Sequence, residues 1–155
     1  MSIEIRALGN ADRRRVAEAL RERWGSDVVV AHGDLYRAAE LEGFLAEDDD
    51  RLLGVLTFVR EGEAVEIVTL DAFERRRGVG TMLVDAARGL GASRLWLITT
   101  NDNESAQRFY EAVGFRLVAV HQGAVERSRA LKPEIPLTGE GGRPMTDELE
   151  YELVP

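Results

Sequence analysis

The segment Glu74-Arg75-Arg76-Arg77-Gly78-Val79-Gly80-Thr81 carries the residue types that hold a pyrophosphate. Two glycines around one apolar residue let the backbone turn tightly, so several N–H groups from Arg76 to Thr81 can converge on an anion. A helix starting there adds its positive end. Arg75 to Arg77 either add counter-charge to the phosphates or form a solvated charged loop. A second chemical candidate is Glu66, set inside the apolar run Ala64-Val65-Glu66-Ile67-Val68. A carboxylate there is costly unless used or paired, so it is read either as a general base or as half of an ion pair with an arginine. The chain has no cysteine, which excludes a thiol nucleophile, a disulfide framework and thiolate metal sites. Its two histidines, His32 and His121, stand isolated in the sequence and receive no role.

Hydrophobic periodicity predicts the elements that must position these groups. Ile3 to Ala7 reads as a strand. Asn10 or Asp12 caps a helix whose stripe Val16, Leu20 and Trp24 faces the core until Gly25 stops it. Asp34 is expected to cap a second helix reaching Leu41, and the stretch 27–33 between the two is left unassigned. Phe44 to Ala46, Leu52 to Arg60 and Ala64 to Leu70 read as an antiparallel meander with polar turns. On the third of these strands a period of two puts Glu66, Val68 and Leu70 on one face. Val79, Met82, Leu83, Ala86 and Leu90 then repeat at helical spacing, and Leu95 to Thr99 is strongly β-forming. A strand, crossover helix, strand unit of this kind makes its two strands near-parallel, with the glycine turn at one end.

Downstream, Asn103-Glu104-Ser105-Ala106-Gln107-Arg108-Phe109-Tyr110-Glu111-Ala112-Val113-Gly114-Phe115 reads as a capped helix that ends at a glycine and leads into the strand Phe115 to His121. Ala124 to Leu131 is a short helix that Pro133 and Pro136 prevent from extending. Thr138 to Pro144 is a glycine-rich loop, and Asp147 to Val154 alternates as a half-buried final strand. The charged stretch 121–146 is read as a solvated connection, with folding over a bound acceptor as the alternative.

Together, the glycine turn and the downstream helix resemble the GNAT superfamily of acetyl-CoA-dependent N-acetyltransferases. That family carries Arg/Gln-x-x-Gly-x-Gly/Ala at the acyl-CoA pyrophosphate and Asn-x-x-Ala-x-x-Phe-Tyr-x-x-x-Gly-Phe beside the pantetheine arm. The match is close over Leu52 to Phe115. The resemblance implies a mixed α/β sheet of about seven strands with about four helices, the last strand beside the fifth, in a single domain over 1–155. It implies that backbone groups of Val68 and Leu70 pair with pantetheine, that the Leu70 N–H polarises the thioester carbonyl, and that Ala106 and Phe109 line the arm. Asn103 orients CoA or a water, or caps its helix. Tyr110 protonates the departing thiolate, or packs its helix against the core. A phenol of pKa about 10 and a thiol of about 8.5 are close enough for that transfer.

The implied activity is direct attack of a primary amine, from a small molecule or peptide, on acetyl-CoA, with no metal and no covalent enzyme intermediate. The competing class is a non-catalytic acyl-CoA-binding regulatory module. A dinucleotide-binding domain is disfavoured because the glycine pair lacks a third partner. A length of 155 residues and 45% hydrophobic content suit one globular core. The net charge of −8 argues against nucleic acid as a partner. No stretch approaches the roughly 20 apolar residues of a membrane span, so a cytoplasmic protein is expected. A homodimer is possible on family grounds alone.

Overall fold

The structure, a computed structural model, describes residues 2–74 and 78–155. Its elements are β1 (Glu4–Ala7), α1 (Arg13–Trp24), β2 (Val28–Ala31), β3 (Asp34–Arg37), β4 (Glu42–Asp48), β5 (Arg51–Glu61), β6 (Ala64–Ala72), α2 (Val79–Arg88), β7 (Arg94–Thr100), α3 (Glu104–Ala112), β8 (Arg116–His121), α4 (Ala124–Leu131) and β9 (Glu148–Leu153). Seven strands form one mixed sheet in the order β1-β4-β5-β6-β7-β9-β8, and β2 and β3 form a separate two-stranded sheet. The last strand lies beside β7, the fifth strand of the sequence reading. Among the described residues no helix is long and apolar enough to cross a membrane.

Two compact units make up the chain: Met1–Val29, Tyr36–Leu95 and Pro155 in the first, Val30–Leu35 and Trp96–Val154 in the second. In the first, β4, β5 and β6 form the antiparallel meander, in the registers Leu45↔Val55 and Leu56↔Leu70. Leu45 and Val55 point to one face and pack with Leu8, Val16, Ala17 and Leu20, all removed from water. At about 25 cal/mol per Å² this apolar burial is the main force holding α1 to the sheet. The opposite face receives α2. In the second unit β8 and β9 pair antiparallel, with Val120 opposite Leu149.

Two sequence expectations are corrected. Asp34 does not cap a helix; it opens β3, and only the short 3-10 turn Ala38–Glu40 remains of the predicted helix. The cause lies just upstream, where His32 and Gly33 both adopt positive φ, 43° and 84°. Two consecutive left-handed residues make the tight turn that matches strand twist, and the β-branched Val28, Val29 and Val30 supply its first strand. Nor is Trp24 a core residue: it is 61% exposed, because α1 ends at Gly25 (φ 78°) and its last turn runs past the apolar cluster. Only its indole N–H reaches inward, donating to Asp71 Oδ1 at 2.8 Å.

The start of α1 is tied to the sheet by charge. Arg6 donates to both carboxylate oxygens of Asp12, at 2.8 and 2.7 Å, and to Glu47 at 2.5 Å, while Arg15 donates to Glu47 at 2.6 Å. The Arg6 hydrogen bond is the main reason Asp12 falls from 3.8 to about 2. A depressed carboxyl adds stability that is complete above its unfolded value and disappears as pH falls through its folded value. Asp12→Asn is therefore expected to cost about 1–2 kcal/mol at pH 7, allowing for the part-exposed Arg6. Urea unfolding at a series of pH values should show that gap from the parent closing between about pH 4 and pH 2; a gap constant with pH would contradict the linkage.

Candidate active site

Gly78 is the last residue before α2, and its φ of 71° explains why glycine is needed there. The first i to i−4 bond of the helix runs from Met82 N–H to Gly78 O at 3.0 Å. The N–H groups of Val79, Gly80 and Thr81 precede it and have no intrahelical acceptor, so the turn points donors and a positive helix end outward. Val79 is buried, whereas Gly78 and Thr81 lie exposed beside it. Gly54 on β5 permits this seating: a Cβ there would meet Val79 Cγ1 at 2.5 Å and the Asp71 carbonyl oxygen at 2.7 Å. Arg75, Arg76 and Arg77, the predicted counter-charges, lie outside the described residues.

Glu66 sits on β6, 1% exposed. The pairing of β5 with β6 shifts between Thr57 and Phe58, which oppose Thr69 and Ile67; Val68 is the extra residue of a β-bulge. This overturns the expectation that Glu66, Val68 and Leu70 share a face. Leu70 and Ile67 align with Leu56 and Phe58, and with Gly54 these belong to the α2 face. Glu66 aligns with Val59, and Thr69 and Asp71 with Thr57 and Val55, on the α1 face. Across the bulge the period of two restarts one residue late.

That α1 face carries a column of buried polar groups. The Tyr36 hydroxyl donates to Glu66 Oε1 at 3.0 Å. Thr57 and Thr69 share a hydroxyl hydrogen bond of 2.7 Å. Asp71 accepts from Trp24 and lies 3.6 Å from Arg23; burial pushes its carboxyl up while those two partners pull it down. Tyr36 was missed in the sequence because it fell inside a predicted helix. The three valines followed by His-Gly were the signal of a hairpin instead.

In the second unit, Asn103 caps α3, its Oδ1 accepting from Ala106 N–H at 3.3 Å, which bears out the capping alternative. Ala106, Phe109 and Tyr110 are all half-buried, and α3 has no fully buried residue. The Tyr110 ring packs on Phe109, Phe115 and Tyr151, with centroids 5.7, 5.8 and 6.0 Å away. Tyr151 is 1% exposed, and desolvation followed by Glu111 raises its hydroxyl above the ordinary value.

The stretch 121–146 is a largely exposed connection held by ordinary hydrogen bonds and salt bridges. Its glycine-rich loop is tied to the start of α3: Asn101 donates to the Pro144 carbonyl at 3.0 Å, Glu140 N–H donates to Asp102 at 3.1 Å, Ser105 donates to Glu140 at 2.8 Å, and Arg143 pairs with Glu104 at 2.6 Å. A Cβ at Gly139 would stand 1.9 Å from the Asp102 carboxylate, so only glycine allows that approach. Nearby, His32 donates its backbone N–H to the buried Glu148 at 3.0 Å, and its ring lies tilted against Trp96 with centroids 5.3 Å apart and Asp34 3.2 Å from its Nδ1. Ser128 of α4 donates to the same Glu148 at 3.2 Å.

The family model of the acetyltransferase (GNAT) family matches residues 12–115. The uncharacterized protein YxbD of Bacillus subtilis (strain 168) is 37% identical over 139 residues, covering 86% of this chain and 87% of its own. The mycothiol acetyltransferase of Corynebacterium diphtheriae is 34% identical over 127 residues, 73% of this chain and 37% of that protein. Among solved structures, a GNAT family acetyltransferase from Elizabethkingia anophelis with acetyl-CoA bound superposes with a TM-score of 0.68 at 17% identity, covering 99% of this chain and 98% of that one.

The seating of α2 over Gly54 is testable. Gly54→Ala must displace Val79 or the backbone at Asp71, so it is expected to cost about 1–3 kcal/mol in urea unfolding and to disturb the α2 start that follows the glycine turn. Unchanged stability would mean that the approach of β5 to α2 is not a constraint.

Proposed function

This chain belongs to the acetyltransferase (GNAT) family, and from that premise we propose that it moves an acetyl group from acetyl-CoA to a primary amine of a small molecule or peptide by direct attack. The observation that carries the reading is Gly78, left-handed at the opening of α2, where three helix N–H groups and a positive helix end present a seat for the CoA pyrophosphate. Arg75 to Arg77 add positive charge to the same loop. Val68 and Leu70 offer backbone groups to the pantetheine arm in the manner of an added strand, and the Leu70 N–H polarises the thioester carbonyl. Ala106 and Phe109 give the arm apolar contact, and Asn103 orients CoA or a water while capping α3.

In the chemical step a C–N bond forms as the C–S bond breaks. An amine with pKa about 10.4 is mostly charged at neutral pH and must lose a proton to attack. Glu66 takes that proton, directly or through water. Because Glu66 faces α1 whereas the glycine turn opens α2, the amine reaches the thioester from the sheet face opposite the phosphates. Tyr110 protonates the thiolate, so CoA leaves as the free thiol. The cytoplasm is the compartment we propose for this reaction.

Calorimetric titration with acetyl-CoA, with NAD as control, tests the donor seat. Stoichiometric binding of acetyl-CoA alone is expected, and Gly78→Ala, which strains the αL position, should weaken it at least tenfold. Glu66→Gln and Tyr110→Phe should each lower turnover about 10²–10⁴-fold while leaving acetyl-CoA affinity within a factor of three. If neither change slows acetylation of any amine and acetyl-CoA still binds, the chain is an acyl-CoA-binding module.

A further inference from the structure

We propose that Tyr36 is the positioning residue for Glu66: its hydroxyl holds the carboxylate oriented and ionised on the α1 face of β6. The inference rests on reading Glu66 as the base. Three observations support it independently of that reading. Glu66 is 1% exposed on an interior strand of the sheet, where an ionised carboxylate is costly without a strong donor. Tyr36 Oη stands 3.0 Å from Oε1, a hydrogen bond that fixes where that carboxylate oxygen points. Glu66 lies two residues before the bulged Val68, and without that bulge its carboxylate would share a face with Leu70 rather than with Thr69.

Tyr36 is half-buried, and its neighbours Leu35 and Arg37 are exposed. The hydroxyl thus reaches inward, from a hairpin whose neighbouring side chains meet water, to a carboxylate that is itself buried. A general base must be ionised at the working pH and aimed at the proton it takes. Donation from a phenol to an ionised carboxylate favours the charged form and so lowers its pKa; removing the donor raises it.

The test joins a direct titration to a rate profile. The Glu66 side-chain carboxyl is followed by ¹³C NMR, assigned by its loss in Glu66→Gln. Thiol release from acetyl-CoA is measured against pH with spermidine, lysine methyl ester and alanylalanine amide as acceptors. In Tyr36→Phe the Glu66 titration should move to higher pH by about one unit, and the acid limb of the rate profile should move with it. Site-specific 3-fluorotyrosine at position 36 keeps the ring and hydroxyl but donates more strongly, and should move both to lower pH; this arm stands even if the phenylalanine variant does not fold. A Glu66 titration unmoved by either change overturns the proposal. If the titration moves but Glu66→Gln keeps the full rate and acid limb, Glu66 is not the base, and the catalytic role of Tyr36 falls with it. If the limb disappears in Glu66→Gln yet stays in place in both Tyr36 proteins, the base reading survives and only the positioning role is lost.

Discussion

The extra residue at Val68 is the constraint on which the sorting of buried polar and apolar side chains along β6 depends. A strand buried on both faces must alternate its side chains strictly, and with regular alternation a carboxylate at Glu66 would share a face with Leu70. By opposing Thr57 with Thr69 and Phe58 with Ile67, the bulge reverses the alternation partway along β6. Ile67 and Leu70 thereby both serve the α2 face, and Glu66, Thr69 and Asp71 collect on the α1 face. Bulges concentrate beside functional sites because one inserted residue re-aims several side chains at small cost to the ladder.

The α2 face is organised by close approach. Gly54 removes the one side chain that would hold Val79 away from β5, and Gly78 takes the left-handed turn that lets the chain pass from β6 into a helix without capping by a side chain. Neither glycine contributes a side-chain interaction. Both allow backbone and helix to come near enough for apolar packing of Val79 and Leu83 to hold the end of the helix that carries the unpaired N–H groups.

Three buried carboxylates of the two units each meet a specific donor, as burial of charge demands. Glu66 has Tyr36, Asp71 has Trp24, and Glu148 has the His32 backbone and Ser128. In each case the donor comes from an element distant in sequence, so the carboxylates tie segments together. The same logic runs through the loop over the start of α3, where Asp102, Glu104 and Ser105 each meet a group from 139–143.

Much of this was legible from residues read in order. The meander, the helix after the glycine turn, the capped helix at Asn103 and the position of the last strand all follow from short-range periodicity, turn residues and a family motif. These signals act within a few residues of themselves. The predicted helix at 34–41 failed because Asp34 is a good cap only if the preceding chain leaves it in position; two left-handed residues before it had already committed the backbone to a hairpin. Trp24 was misplaced because helical spacing identifies a stripe without giving the length of the sheet beneath it. The amino-acid sequence alone determined most of the elements, the hairpin at 28–37 excepted, and the expectation of a phosphate seat at the glycine turn, since both depend on local geometry and residue type. Tertiary structure alone decided that Glu66 faces away from Leu70 and meets Tyr36, because strand register and contacts thirty residues apart are set by how the whole core closes.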